Sequence, residues 1–302
     1  MIDLRRLEAL VAVHRTGSVS AAAASLHYGQ PTVSHHLRRL EAETGSVLLQ
    51  RVGRGIRLTP DGERLARRGE EILGLLERAE DELAAATQLR AGRVRLAAFP
   101  SAAATLVPAA IALLARAHPD LALDLVEAEP PEAAELLRAG DVDLALTFAY
   151  PGQAEVDGIT STTLFHDPLY LVTGPAGDGA GDGGEAGELA GDGLAALADR
   201  RWITGCERCR AELLALCDAA GFAPRIAFAS DDYVAVQSLV AGGVGVTVLP
   251  GLALRAHLHP DVRRRAIAGA DRRVQLSSYG APPRPASVEA VAEALRAAAT
   301  RR

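Results

Sequence analysis

Lysine is missing from all 302 residues, so every fixed side-chain positive charge is a guanidinium. Guanidinium suits bidentate contacts to carboxylates and phosphates. A coding bias leaves the same gap and is the preferred reading, so this absence says little about function. The missing enzyme motifs say more. No Gly-x-Ser-x-Gly elbow, His-Glu-x-x-His pair or Gly-Lys-Ser/Thr phosphate loop occurs, and the carboxylates are scattered over helix faces. The chain is not read as an enzyme, and no catalytic residue, metal site or cofactor is expected. Asp3, Arg5, Arg6 and Glu8 interrupt any apolar run at the N-terminus, so no signal peptide is read there. Tyr233 to Leu254 is uncharged for about one membrane-spanning length. Gly242, Gly243, Gly245, Pro250 and Gly251 break it, and it reads as helix, turn and buried strand. A cytoplasmic protein with no membrane partner is expected.

Against these absences stands a folded composition, 49% hydrophobic and 23% charged, in a chain long enough for about two domains. The net charge of −6 alone argues against nucleic acid. Its distribution reverses that. Residues 1–68 hold eleven arginines against six acids, a net +5, which leaves −11 for the rest. An arginine-rich head on an acidic body is the footprint of local DNA binding.

Within the head, Ser18 to Glu43 reads as two short helices and a tight turn. Ser18 is a good N-cap, and Val19, Ala22, Ala23 and Leu26 supply a small-residue apolar face. Gly29 supplies a turn or a cap, and Pro31 falls in the first turn of the second helix. Val33, Leu37 and Leu40 point inward at i, i+4 and i+7. Gln30, Thr32, Ser34, His35, Arg38 and Arg39 are left outward or at the leading end, where such groups can read base edges and grip phosphates. A merely solvated helix face gives the same pattern, so spacing alone leaves both readings open. The flanks favour DNA. Leu4 to Val13 forms a preceding helix between Asp3 and Gly17. Two short apolar strands around Gly53-Arg54-Gly55 make a hairpin wing, which carries Arg51 and Arg54.

The order and spacing of Leu4-Arg5-Arg6-Leu7, Gly17-Ser18-Val19, Ala21-Ala22-Ala23, Gln30-Pro31, Val33-Ser34, Leu40-Glu41, Arg54 and Leu58-Thr59-Pro60-Asp61-Gly62 resemble LysR-type transcriptional regulators over about sixty residues. Two positions depart from the family pattern: Gly29 stands where serine is usual, and His35-His36 where a permanently charged residue is frequent. The resemblance implies an α/β protein with an N-terminal winged helix-turn-helix over residues 1–59 and a linker and dimerisation helix over 60–91. A two-lobed effector-binding domain, similar to type 2 periplasmic binding proteins, is expected over 92–302. Lobe 1 covers about 92–165 and 262–302, and lobe 2 about 166–261. It implies double-stranded DNA, a small-molecule effector and a second copy of the chain (homodimer or homotetramer) as partners. The DNA contacts expected are Ser18, Gln30, Pro31, Thr32, Ser34, His35, Arg38, Arg51 and Arg54. The different reading is a ligand-binding or redox-sensing protein whose basic head contacts protein rather than DNA.

Thr59 caps a long helix from Pro60 to about Arg90, in which Leu65, Ile72, Leu76, Ala79 and Leu83 follow a heptad-like seam. Packing on its own domain gives the same pattern; the family reading makes it the dimerisation helix. From Arg93 strands alternate with helices, the α/β signature. The Gly/Ala/Asp/Glu insert at Gly174–Gly193 reads as a surface loop, its acids arguing against a phosphate cradle.

Ligands of a two-lobed fold sit between the lobes, at strand ends and helix N-termini. Ser101 follows a strand and opens a helix, where an anion such as a carboxylate would be favoured; a plain N-cap looks identical. Thr147, Phe148, Thr204, Gly205 and Asp231 are the other effector contacts that the resemblance implies. Cys206 and Cys209 form a Cys-x-x-Cys at a strand–helix junction, with Arg208 and Arg210 beside them. They read as reduced cytosolic cysteines or as a redox pair; a closed zinc site would need a second pair.

Overall fold

The computed structural model describes residues 2–52, 55–87, 92–153, 156–175, 191–280 and 284–301. A head of three helices and a hairpin leads through one long helix into a body built on a single eight-stranded sheet.

Local signals build the head. The Asp3 carboxylate accepts from the Arg5 N–H and caps α1 (Leu4–Thr16), and Gly17 ends that helix at φ 71°, a conformation glycine adopts without strain. Ser18 caps α2 (Val19–Ser25) by accepting from the Ala21 N–H. The turn into α3 (Gln30–Thr44) uses Gly29 as the cap rather than as the turn residue. Gly29 is an extended N-cap, and the left-handed turn residue is His27, at φ 55°. Val33, Leu37 and Leu40 are buried as their spacing requires, packed with Leu10, Val13, Val19, Ala22 and Ala23 of α1 and α2. The wing is β1 (Leu49–Val52) paired antiparallel with β2 (Gly55–Leu58). Glu41 of α3 ties it down by accepting from the Leu48 and Leu49 N–H groups at 2.9 and 3.1 Å.

Thr59 caps α4 (Pro60–Thr87) by accepting from the Gly62 N–H, while its own hydroxyl donates to the Val47 carbonyl. Gly62 must be glycine, since a Cβ there would lie 2.1 Å from the Leu48 carbonyl oxygen. Farther along, Gly74 meets Gly140 of the body backbone to backbone, with no room for a side chain on either.

The body opens with β3 (Arg93–Ala98), α5 (Pro100–Ala103), α6 (Leu106–Ala117), β4 (Ala122–Glu127), α7 (Pro130–Ala139) and β5 (Leu144–Ala149). Period-two alternation sends Val94, Leu96 and Leu146 into one apolar layer with α6 and Ala97 and Ala145 into another with α7, so both sheet faces are covered. The apolar run Pro100–Ala117, mean hydropathy 1.4, is α5 and α6 and lies against this core. The run is interrupted at Ala104–Thr105.

Two long antiparallel strands, β6 (Ile159–Thr173) and β10 (Arg263–Tyr279), run through both lobes. Between them in sequence come a 3₁₀ turn (Gly191–Leu197), β7 (Arg201–Thr204), α8 (Glu207–Ala219), β8 (Arg225–Ala229), α9 (Tyr233–Ala241), β9 (Val246–Pro250) and α10 (Gly251–Ala256). The strand order is β4-β3-β5-β10-β6-β9-β7-β8. The pairing of β6 with β10 shifts register between Ala266 and Asp271, opposite Pro168. The final helix α11 (Ala286–Thr300) closes back on α6 of lobe 1, as expected. Most of the insert Gly174–Gly193 lies outside the described residues, but the turn that follows it buries Leu194 and Leu197 in the lobe 2 core with Trp202.

Candidate DNA interface and inter-lobe cleft

Burial of Val33, Leu37 and Leu40 fixes the rotation of α3 and so decides what faces out. Gln30, Pro31, Thr32, His35, Arg38 and Arg39 are exposed, and Ser34 is half-buried among them. Ser18 is exposed, its hydroxyl oxygen taken by the cap at 3.0 Å and its proton free to donate. The Arg38 guanidinium lies along its own helix, Nε donating to the Ser34 carbonyl at 3.2 Å. His36 parts company with His35: it is half-buried, 6.0 Å from the Tyr28 ring, with Nδ1 enclosed and unpartnered among the described residues. The Arg51 side chain and all of Arg54 lie outside the described residues.

The net positive charge of the head is partly spent internally. Arg6 pairs with Glu43, Arg15 with Glu70 and Asp141, Arg64 with Asp61 and Arg68 with Glu71. Arg5, Arg38, Arg39 and Arg57 are exposed and pair with no acid among the described residues. On α4, Leu65 packs partly against the head's own core. Ile72, Leu75 and Leu76 are 44%, 52% and 43% exposed, an apolar strip left open by the described residues; the side chains of Ala79 and Leu83 lie outside the described residues.

A second constellation sits between the lobes, where the strands cross. Arg272 and Asp167 face each other on β10 and β6, each side chain 3% exposed, joined at 3.0 Å through both Nε and Nη2. Arg272 also donates to the Ser101 hydroxyl at 3.0 Å, and its guanidinium lies 4.8 and 4.5 Å from the Phe99 and Phe148 ring centres. The other Asp167 oxygen accepts from the Leu252 N–H at the start of α10. Two charges removed from water require this degree of compensation. The cluster fastens lobe 1 to lobe 2 and floors a cleft lined by Ser101, Glu129, Phe148, Tyr150, Gly205, Cys206, Cys209 and Asp231, among others.

Four of the six expected effector contacts, Ser101, Phe148, Gly205 and Asp231, therefore line one cleft. Thr147 and Thr204 do not. Thr147 is buried and shares a 2.8 Å hydrogen bond with Ser277 of β10, while the Thr204 hydroxyl is buried with no partner among the described residues. The expected anion site at Ser101 is also revised: α5 is four residues long, and the hydroxyl is engaged by Arg272. Burial raises the pKa of Glu129, opposed by the nearby Arg272 charge and a hydrogen bond from Cys206. Arg208 reaches across to lobe 1, donating to the Phe148 carbonyl at 3.2 Å and the Gln153 side chain at 3.1 Å. Arg272 and Asp167 were missed altogether. Their one trace in the sequence is a charge placed inside an otherwise strand-like stretch.

Comparison with known proteins agrees with both halves. The family described as "Bacterial regulatory helix-turn-helix protein, lysR family" matches residues 4–63, and "LysR substrate binding domain" matches residues 87–300. The chain belongs to the LysR family of transcriptional regulators. It is 30% identical over 281 residues to the HTH-type transcriptional regulator TfdS of Cupriavidus pinatubonensis, covering 91% of each chain. In fold it is similar to full-length OxyR C199D of Pseudomonas aeruginosa, at TM-score 0.70, 22% identity and 98% and 95% coverage of the two chains. Full-length CbnR complexed with its target DNA matches at TM-score 0.63, 24% identity and 98% and 99% coverage. This LysR-type regulator thus joins a DNA-binding head to an effector-binding body.

Proposed function

We propose that this regulator binds promoter DNA as a dimer, or a dimer of dimers, in the cytoplasm. It sets the leading end of α3 into the major groove and answers a small molecule in the inter-lobe cleft. The observation that carries the DNA reading is the outward row Gln30, Thr32, His35 and Arg38 on a helix whose rotation is locked by three fully apolar partners. Gln30 reads a base edge, Arg38 and Arg39 hold phosphates, and the wing residues Arg51 and Arg54 meet the flanking backbone or minor groove. Self-association runs through the exposed strip of α4, continued by Ala79 and Leu83. The cleft binds and releases its ligand without turnover, and that ligand shifts the protein only by preferring one arrangement of the lobes. A gel shift on the DNA upstream of the regulator's own gene, over a range of salt, tests the reading. Specific retardation that weakens with salt is expected; equal binding to unrelated DNA would overturn it.

A further inference from the structure

We propose that Cys206 and Cys209 are a reversible dithiol–disulfide pair, oxidised by a hydroperoxide that enters the inter-lobe cleft. Cys206 is the N-cap of α8, and Cys209 lies in its first turn with its N–H directed to the Cys206 sulfur at 3.4 Å. Residues three apart on a helix have β-carbons close enough for the geometry a disulfide needs. The two sulfurs stand 2.6 Å apart, both half-buried and both on the cleft wall. The third cysteine, Cys217, is buried in the lobe 2 core, where desolvation pushes its thiol up to about 11 and leaves it inert. No trio of metal-ligating side chains occurs among the described residues, so the pair is not half of a recognisable metal site.

The surroundings divide the labour between the sulfurs. Cys209 is held below the ordinary thiol range by hydrogen bonds from the Cys206 thiol and the Tyr150 hydroxyl and by the Arg272 charge. Cys206 is held above it by its bond to Cys209, by burial and by the carboxylate of Glu129. The Cys209 thiolate attacks the hydroperoxide. An S–O bond forms, the O–O bond breaks, and the sulfur is oxidised to sulfenic acid as the peroxide is reduced. The departing hydroxide or alkoxide takes the proton of the Cys206 thiol. Cys206, now a thiolate, attacks the Cys209 sulfur; the S–S bond forms and hydroxide leaves, to be protonated by solvent. A small dithiol reverses the change by exchange.

Oxidation would be felt by the lobes. Cys206 and Cys209 share the cleft wall with Glu129 and Tyr150. Glu129 and Tyr150 belong to lobe 1, the cysteines to lobe 2. A disulfide removes the thiol proton and the thiolate charge from that wall, beside the Arg272–Asp167 fastening, and so changes what lobe 2 presents to lobe 1. This consequence for DNA rests on the function proposed above; the thiol chemistry does not.

The full-length reduced protein is treated with a small molar excess of hydrogen peroxide, and its free thiols are alkylated and mapped by mass spectrometry. The proposal expects two of the three thiols to disappear with a loss of two hydrogens per chain, linked as Cys206–Cys209 and restored by dithiothreitol. Cys206→Ser should stop the reaction at a sulfenic acid on Cys209 that dimedone captures. Three thiols that persist, or loss centred on Cys217, overturn the proposal. Binding to the upstream DNA is then compared between the two forms. A severalfold change in affinity, or an altered footprint, supports a switch; identical binding overturns the regulatory half. Failure of the reduced protein to bind DNA specifically would instead overturn the function proposed above, with the thiol result unaffected.

Discussion

The head and the cleft use polar groups in opposite ways. On α3 the functional side chains stand in water on a scaffold of Val33, Leu37 and Leu40, and almost nothing in the fold depends on them. In the cleft, Arg272, Asp167 and Ser101 are buried, bonded to one another across as many as 171 positions of sequence, and hold two lobes in register. A surface that must read many DNA sites can leave its reading groups unpaired until DNA arrives. A hinge that must distinguish two lobe arrangements cannot leave a charge unpaired in either. Substitutions in the first region should change recognition at little expense of stability, and those in the second should do the reverse.

The sharpest break would come at the cleft. Arg272→Ala leaves the Asp167 carboxylate buried without its partner, and a loss of about 3–5 kcal/mol in urea unfolding is expected. A loss under about 1 kcal/mol would mean that water already reaches this pair and that the contrast with the head is false.

The next effect tests the strip on α4. Leu76→Arg places a charge in an apolar seam, weakening self-association by about 2–3 kcal/mol even if the side chain reaches water. Sedimentation should show a soluble protein that dissociates more readily and binds its operator weakly, with effector affinity nearly unchanged. An undiminished dimer would put the seam elsewhere.

Ser18 offers a smaller and more local perturbation. Ser18→Ala removes the cap on α2 and should lower the stability of the head by about 1 kcal/mol, read by thermal unfolding. No change would indicate that the tertiary contacts of Ala22 and Ala23 hold the helix alone.

The smallest expected effect is a slope. Burial raises the Glu129 pKa, so its favourable folded form is the protonated one. That contribution is complete below the ordinary carboxylate range and is lost as the pH rises through the raised value. Wild type should therefore lose urea resistance relative to Glu129→Gln between about pH 4 and neutrality. Parallel pH profiles for the two proteins would contradict this.

The same contrast explains what could be read before any coordinates. Asp3, Ser18 and Gly17 act within four residues of themselves, and the α3 row repeats with the helix, so local chemistry was enough to place the head. One local feature left no trace: nothing in the sequence marks His27 as the left-handed residue of that turn. In the body, near-continuous apolar runs reveal β3 and β5 because both their faces are covered. They fail on β6 and β10, whose exposed stretches carry Thr160–Thr163 and Arg263–Arg265 with no apolar run. The pairing of Arg272 with Asp167 spans 105 residues and leaves no periodic trace. Thr147 and Thr204 were placed by resemblance, which locates a strand end but not the direction of a hydroxyl. Oligomeric contacts and ligand identity depend on molecules outside this chain.

The central claim is that α3 reads DNA through side chains the fold does not need. Competition binding of wild type and Gln30→Ala to the operator and to single-base variants of it, beside urea unfolding of both proteins, tests this directly. Unchanged stability, with a loss of about 1–3 kcal/mol of discrimination at one base pair per half-site, is the result this account predicts. Unaltered preference at every position, or a loss of stability that accompanies the loss of binding, would contradict it.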